Sequence, residues 1–240
     1  MRFILNVFQI VFIWIWTLFS ALVGFMLLLF LGQKRSIYYA SQCWSWPMFW
    51  ISGTKLNVEG AENIPRFQNV IYTANHESSF DIPVMFAVLP VPIFYLAKTE
   101  LKKIPFFGWY VNAVGMVFID RGNHEKAMKS IIKAGQEIKK GKNIISFPEG
   151  TRPRDGEMKM FKRGSFMLAL ENNIDVVPIA IIGSKEVNPP GYKITPGTIT
   201  IRIGKLVKAS DFDKTKPDVL AKYVEDKVRE MRMSSFTNNY

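Results

Sequence analysis

The chain reads as an α/β protein. It should have a largely parallel central sheet of about seven strands flanked by helices, with an N-terminal hydrophobic helical hairpin as a membrane anchor. Three observations predict this. No charge occurs from Phe3 to Gln33. After Gly53, short segments rich in Val, Ile, Phe and Tyr alternate with segments of helical periodicity. Several of the short segments are apolar throughout, as strands covered on both faces are.

The uncharged run would form a helix of more than about 40 Å, longer than the roughly 30 Å hydrocarbon core of a bilayer. A secretory signal would carry an apolar region of only ~7–15 residues and a small-residue cleavage site. The segment that follows, to Ser52, carries Tyr38, Tyr39, Trp44, Trp46, Phe49 and Trp50, with Pro47 among them. Rings with polar tips favour the headgroup level. Residues 1–52 are therefore expected to form a long apolar helix, a basic turn at Lys34 and Arg35 and a shorter interfacial helix. Residues 53–240 are expected to form the α/β domain. The slight charge bias leans toward a cytosolic position for that domain.

Strands are expected at KLNVEG, NVIYTAN, PIFYLAK, GMVFID, NIISF, VVPIAII and TITIRIG. Helices are expected at 81–89, at 124–140 behind an Asn123 cap and before Gly141, at 164–172, and at 218–233 behind Pro217. The last helix puts Val219, Leu220, Tyr223, Val224, Val228 and Met231 on one face. The stretch LAKTELKKIPFFGW fits a membrane-facing surface, the charged mouth of an apolar channel or a plain core helix.

The net charge of +11 on 240 residues points to an anionic partner, whether nucleic acid, an anionic membrane surface or a phosphorylated substrate. Cys43 is the single cysteine, which excludes an intrachain disulfide and any multi-cysteine metal site. There is no P-loop, no Gly-x-Gly-x-x-Gly and no Gly-x-Ser-x-Gly elbow.

NHESSFD, residues 75–81, follows a predicted strand and precedes a predicted helix, where open α/β sheets place their sites. A turn between His76 and Asp81 can fold a base onto its orienting carboxylate. The competing reading makes Ser78, Ser79 and Asp81 helix-capping residues; Asn75 and Glu77 have no assigned role. GMVFIDRGN puts Arg121 at a strand end, suited either to clamping a phosphate or to a surface pair with Asp120. In ISFPEGTRPRDGEMKMFKRGSF, Pro148 and Gly150 force a turn that carries Glu149 and Arg152. Arg154, Lys159, Lys162 and Arg163 follow, before a helix start. That is a candidate anion site or a solvated basic loop.

NHESSFD, FIDRGN, FPEGTRPRDG and VVPIAI, in that order, resemble the sequence blocks of the glycerolipid acyltransferase family, most of all its lysophosphatidic acid (1-acylglycerol-3-phosphate) acyltransferases. The resemblance covers roughly residues 55–205, and the hydrophobic hairpin resembles that of the bacterial members. It implies that His76 is the catalytic base and Asp81 its partner. It implies that Arg121 helps to hold the acceptor phosphate, with Glu149, Gly150, Thr151, Arg152, Lys159 and Lys162 in acceptor binding. Pro178 matches the proline of the last block.

The implied reaction moves an acyl chain from a thioester, acyl-CoA or acyl-carrier protein, to the sn-2 hydroxyl of lysophosphatidate, giving phosphatidic acid without an acyl-enzyme. Ser78 as an acylated nucleophile is a minor alternative. No cofactor or metal is implied beyond the co-substrate, and membrane lipid rather than nucleic acid is the expected partner. The expected place is the inner (cytoplasmic) membrane, with the catalytic domain on the cytoplasmic side. The alternatives are another acceptor, such as glycerol-3-phosphate or a different lysophospholipid, a membrane-bound thioesterase, or a lipid-binding protein without activity. Donor, chain length, oligomeric state and oxyanion donors are left open by the sequence.

Overall fold

The computed structural model describes residues 2–119, 124–153, 157–189, 191 and 193–234. The first element, α1 (Arg2–Ser52), is helical throughout except at Gly32, where φ is 72°. That left-handed conformation is open to glycine and strained for other residues. The chain folds back there, so the Gln9 amide donates to Ile51 O and the Trp16 indole to Cys43 O. The sequence puts the turn at Lys34 and Arg35. It occurs two residues earlier, and both basic residues open the second arm. Over its most apolar window α1 has a mean hydropathy of 2.3, with 17% of that window buried.

The α/β part then runs β1 (Thr54–Glu59), β2 (Ile71–Ala74), α2 (Asp81–Val88), β3 (Ile93–Lys98), α3 (Phe107–Ala113), β4 (Val117–Ile119) and α4 (His124–Lys139). It continues with β5 (Asn143–Ser146), α5 (Gly164–Asn172), β6 (Val176–Ile182), α6 (Ser184–Val187), β7 (Gly197–Ile203) and α7 (Pro217–Met233). The seven strands form one sheet in the order β1-β7-β6-β2-β5-β3-β4. Each neighbouring pair is parallel except β6 with β7. All seven strands lie where the sequence puts them. The short helices α3 and α6 were not assigned from sequence.

Every residue of the central strands β2 and β5 is buried, which accounts for their unbroken apolar character. Pro178 lies inside β6, opposite Thr73 of β2, and its carbonyl accepts the Gly204 amide. In α7 the buried stripe is Leu220, Ala221, Val224 and Val228; Val219 and Tyr223 are more exposed than the expected apolar face requires.

The hairpin and the sheet share one core, to which α1 contributes Ala21, Ile37, Ala40 and Phe49. Phe49 meets Phe80 edge-on at 6.3 Å, and the Gln42 amide donates to Phe86 O at 2.6 Å. The hairpin is thus packed directly over α2 and the loop before it.

Candidate active site

β2 lies between β5 and β6, and the loops leaving β2 and β5 meet beyond the carboxyl ends of these strands. This is the position where open α/β sheets leave a crevice. The residues after β2 form a tight turn that folds His76 onto Asp81. His76 Nδ1 lies 2.7 Å from Asp81 Oδ2. The same oxygen accepts the amides of Glu77 at 2.7 Å and Ser78 at 2.9 Å. Asp81 is fully buried at the first turn of α2. With Nδ1 held by the carboxylate, Nε2 is the ring nitrogen left to exchange a proton with a substrate. The imidazole also stacks on Phe147 at 4.3 Å, which fixes its plane.

Every polar residue of this turn has a fixed partner. The Asn75 side chain pairs both ways with the backbone of Ile181 in β6, each bond 2.8 Å. The hydroxyls of Ser78 and Ser79 donate to Asn188, just beyond α6. Ser78 is 1% exposed and also accepts the Phe80 amide. Its hydroxyl is therefore structural, which argues against its use as a nucleophile. Glu77, without a role in the sequence reading, is 7% exposed and takes a hydrogen bond from Arg232 of α7. Burial pushes its pKa up to about 7, with Arg232 opposing the shift and Asp81 and Glu186 adding to it.

The loop after β5 supplies the second half of the site. Gly150 stands at φ 77°, and a β-carbon there would come within 3.0 Å of Lys162 Nζ. Glu149 is 2% exposed. One of its oxygens accepts the His76 amide at 2.7 Å, the other the Lys159 amide at 2.9 Å. Its carboxylate therefore ties the two loops together through backbone donors. Burial raises its pKa, with the two amides and the nearby His76 and Arg232 acting in the opposite direction. The Lys159 ammonium reaches the Thr151 hydroxyl at 3.1 Å.

His76, Thr151, Arg152 and Lys159 line one cavity of about 930 Å³. His76 and the loop after β5 supply part of its polar lining. Its other walls are largely apolar, with Phe86, Val111 and Met116 of the α/β part and Ala21, Ile37 and Ala40 of the hairpin.

Of the residues singled out from sequence, His76, Asp81, Glu149, Gly150, Thr151, Arg152, Lys159 and Lys162 come together here. Arg121 lies outside the described residues. Glu77, Asn188 and Arg232 carry contacts that sequence reasoning missed.

Residues 55–182 match the model of the Acyltransferase family. The chain is 30% identical over 200 residues to the 1-acyl-sn-glycerol-3-phosphate acyltransferase of Saccharomyces cerevisiae, covering 82% of this chain and 66% of that protein. It is 35% identical over 160 residues to the protein of the same name from Pseudomonas aeruginosa, covering 66% of this chain and 62% of that one. The chain spans about two thirds of the length of these relatives. The crystal structure of the 1-acyl-sn-glycerophosphate (LPA) acyltransferase PlsC from Thermotoga maritima superposes with a TM-score of 0.83 at 27% identity, covering 98% of both chains. The matched residues run from β1 to β6 and take in both loops that hold His76, so the chain belongs to the acyltransferase family.

Proposed function

We propose that the chain is a 1-acylglycerol-3-phosphate acyltransferase that makes phosphatidic acid at a membrane surface. The observation that carries this reading is the His76–Asp81 pair, whose imidazole lines a largely apolar cavity walled in part by the hydrophobic hairpin. A base in the wall of such a cavity can meet both a lipid hydroxyl and an acyl chain. The names of the relatives supply the acceptor.

In this mechanism Nε2 of His76 takes the proton of the sn-2 hydroxyl as that oxygen attacks the thioester carbonyl. Asp81 keeps the imidazole in the required tautomer and balances the charge that develops on it. The leaving thiolate, from a thiol of pKa roughly 8–9, needs little acid assistance. Thr151, Arg152, Lys159 and Lys162, with Arg121, are proposed to hold the acceptor phosphate. Glu149 serves acceptor binding indirectly, by keeping the basic loop against the His76 turn. Acyl-CoA and acyl-carrier protein both meet the chemistry as donors. A phosphate-bearing acceptor favours transfer over hydrolysis, because a thioesterase has no use for the basic loop after β5. The hairpin and the net charge of +11 suit a reaction at an anionic membrane surface, which in this reading is the cytoplasmic face of the inner membrane.

The test is acyl transfer from a labelled thioester in vesicles, offered lysophosphatidate, glycerol-3-phosphate, another lysophospholipid and water in parallel. Phosphatidic acid as the main product supports the reading. Free fatty acid as the main product, or a preference for another acceptor, overturns it.

A further inference from the structure

We propose that Arg232, in the last turn of α7, is a positioning residue for the His76–Asp81 pair and acts through Glu77. The proposal rests on reading His76 as the base, and it concerns a helix outside the matched residues 55–182.

The chain of contacts is short. Arg232 Nη2 donates to Glu77 Oε1 at 2.5 Å. The backbone amide of the same Glu77 donates to Asp81 Oδ2, the oxygen that faces His76 Nδ1. Fixing the Glu77 side chain therefore fixes the peptide that orients the carboxylate. Glu77 is buried among other carboxylates, with Asp81 from α2 and Glu186 from α6 both acting to repel it. Arg232 offsets that repulsion, and it acts in the same sense on Glu149, whose oxygens hold the His76 and Lys159 amides. Without the guanidinium, Glu77 must take up a proton or turn outward, and either change disturbs the support of Asp81.

The rest of the α7 polar stripe has a related task. Glu225, Arg229 and Arg232 follow one another at spacings of four and three, so they share a face. Glu225 Oε2 accepts the Phe161 amide at 2.8 Å, and Arg229 donates to Met158 O at 2.8 Å while also bonding Glu225. The stripe thus grips the basic loop with one turn and the His76 turn with the next. Docking of α7 is accounted for separately, by the buried Leu220, Ala221, Val224 and Val228. A loss at Arg232 should therefore be felt in the site before it is felt in the fold.

The test compares wild type, Arg232→Lys, Arg232→Gln, Glu77→Gln and the Glu77→Gln/Arg232→Gln double variant. It reads kcat and KM for lysophosphatidate, together with the ¹⁵N-imidazole spectrum, in which only His76 and His124 contribute. Arg232→Gln should lower kcat by about tenfold with KM changed less than about twofold, the signature of lost transition-state support. Arg232→Lys should recover most of the loss. The double variant should be no worse than Arg232→Gln alone, since coupled partners are not additive. The His76 imidazole signals should move in Arg232→Gln and in Glu77→Gln, and much less in Arg232→Lys.

A wild-type kcat in Arg232→Gln overturns the proposal. So does a loss confined to KM, or a double variant whose losses multiply. Unmoved His76 signals in Arg232→Gln overturn it without any assay. If that variant does not fold, Glu77→Gln and Arg232→Lys decide by the same spectrum. If wild type makes no phosphatidic acid, the proposed function fails, while the imidazole spectra still judge the role of Arg232.

Discussion

At the scale of single residues, the site depends on three buried carboxylates, two of which accept backbone amides. Asp81 receives two amides and the imidazole on one oxygen, Glu149 receives one amide on each oxygen, and Glu77 is held by Arg232. Glu77 gives this arrangement a measurable pH signature. Its pKa in the fold, about 7, lies above the ordinary 4.5, so the folded state binds more protons than the unfolded chain between those values. Its contribution to stability is then fully present below the ordinary pKa and is lost as pH rises toward 7. In Glu77→Gln that loss is absent. The stability of the variant relative to wild type should increase from about pH 4.5 to about pH 7 and level off above. Thermal unfolding across that range checks it, and a difference independent of pH contradicts it. Glu149 shifts in the same direction and adds a slope of the same sign in both proteins.

His76 and Asp81 were legible in the sequence because five residues of separation let one turn close the pair. The role of Glu77 was not, because its partner stands 155 positions away and only the docking of α7 brings it near. The same holds for Asn188, 110 positions from Ser78. Glu149 was legible as a member of the site. What its two oxygens hold was not, since backbone amides have no identity in a sequence.

At the scale of elements, the strands were legible because both faces of the central ones are covered, which leaves an unbroken apolar run. The helix α3 was not, because seven residues with Gly108 and several aromatics show no amphipathic period. The hairpin was predicted, but its bend lies at Gly32 rather than at the charged pair, since positive φ decides the turn and charge does not. Between elements, Asn75 fastens the end of β2 to β6 by pairing with both the carbonyl and the amide of Ile181. All of it is buried, so truncation leaves two backbone groups without partners. Asn75→Ala should destabilise the fold by about 2–4 kcal/mol, well above the value of one solvent-exposed hydrogen bond. Denaturant unfolding in detergent measures it, and a change below about 1 kcal/mol contradicts the assignment.

At the scale of the whole molecule, the apolar hairpin and the sheet form one core, and residues of both line the cavity that His76 faces. In the proposed function, the basic and the apolar side chains that line it would meet an anionic acceptor and a hydrocarbon chain respectively. Charge and hydropathy suggest this division from the sequence alone. The enclosure does not follow from them, because it depends on which face of α1 meets α2 and α3.

In the proposed mechanism, His76 removes a proton from the acceptor hydroxyl. The most direct measurement is the rate of phosphatidic acid formation from lysophosphatidate and a labelled thioester, with wild type and His76→Ala in the same vesicles. The variant should lose at least about a hundredfold in rate, the scale of general-base catalysis. Equal rates in the two proteins would contradict it and leave His76 as one more residue of a well-anchored turn.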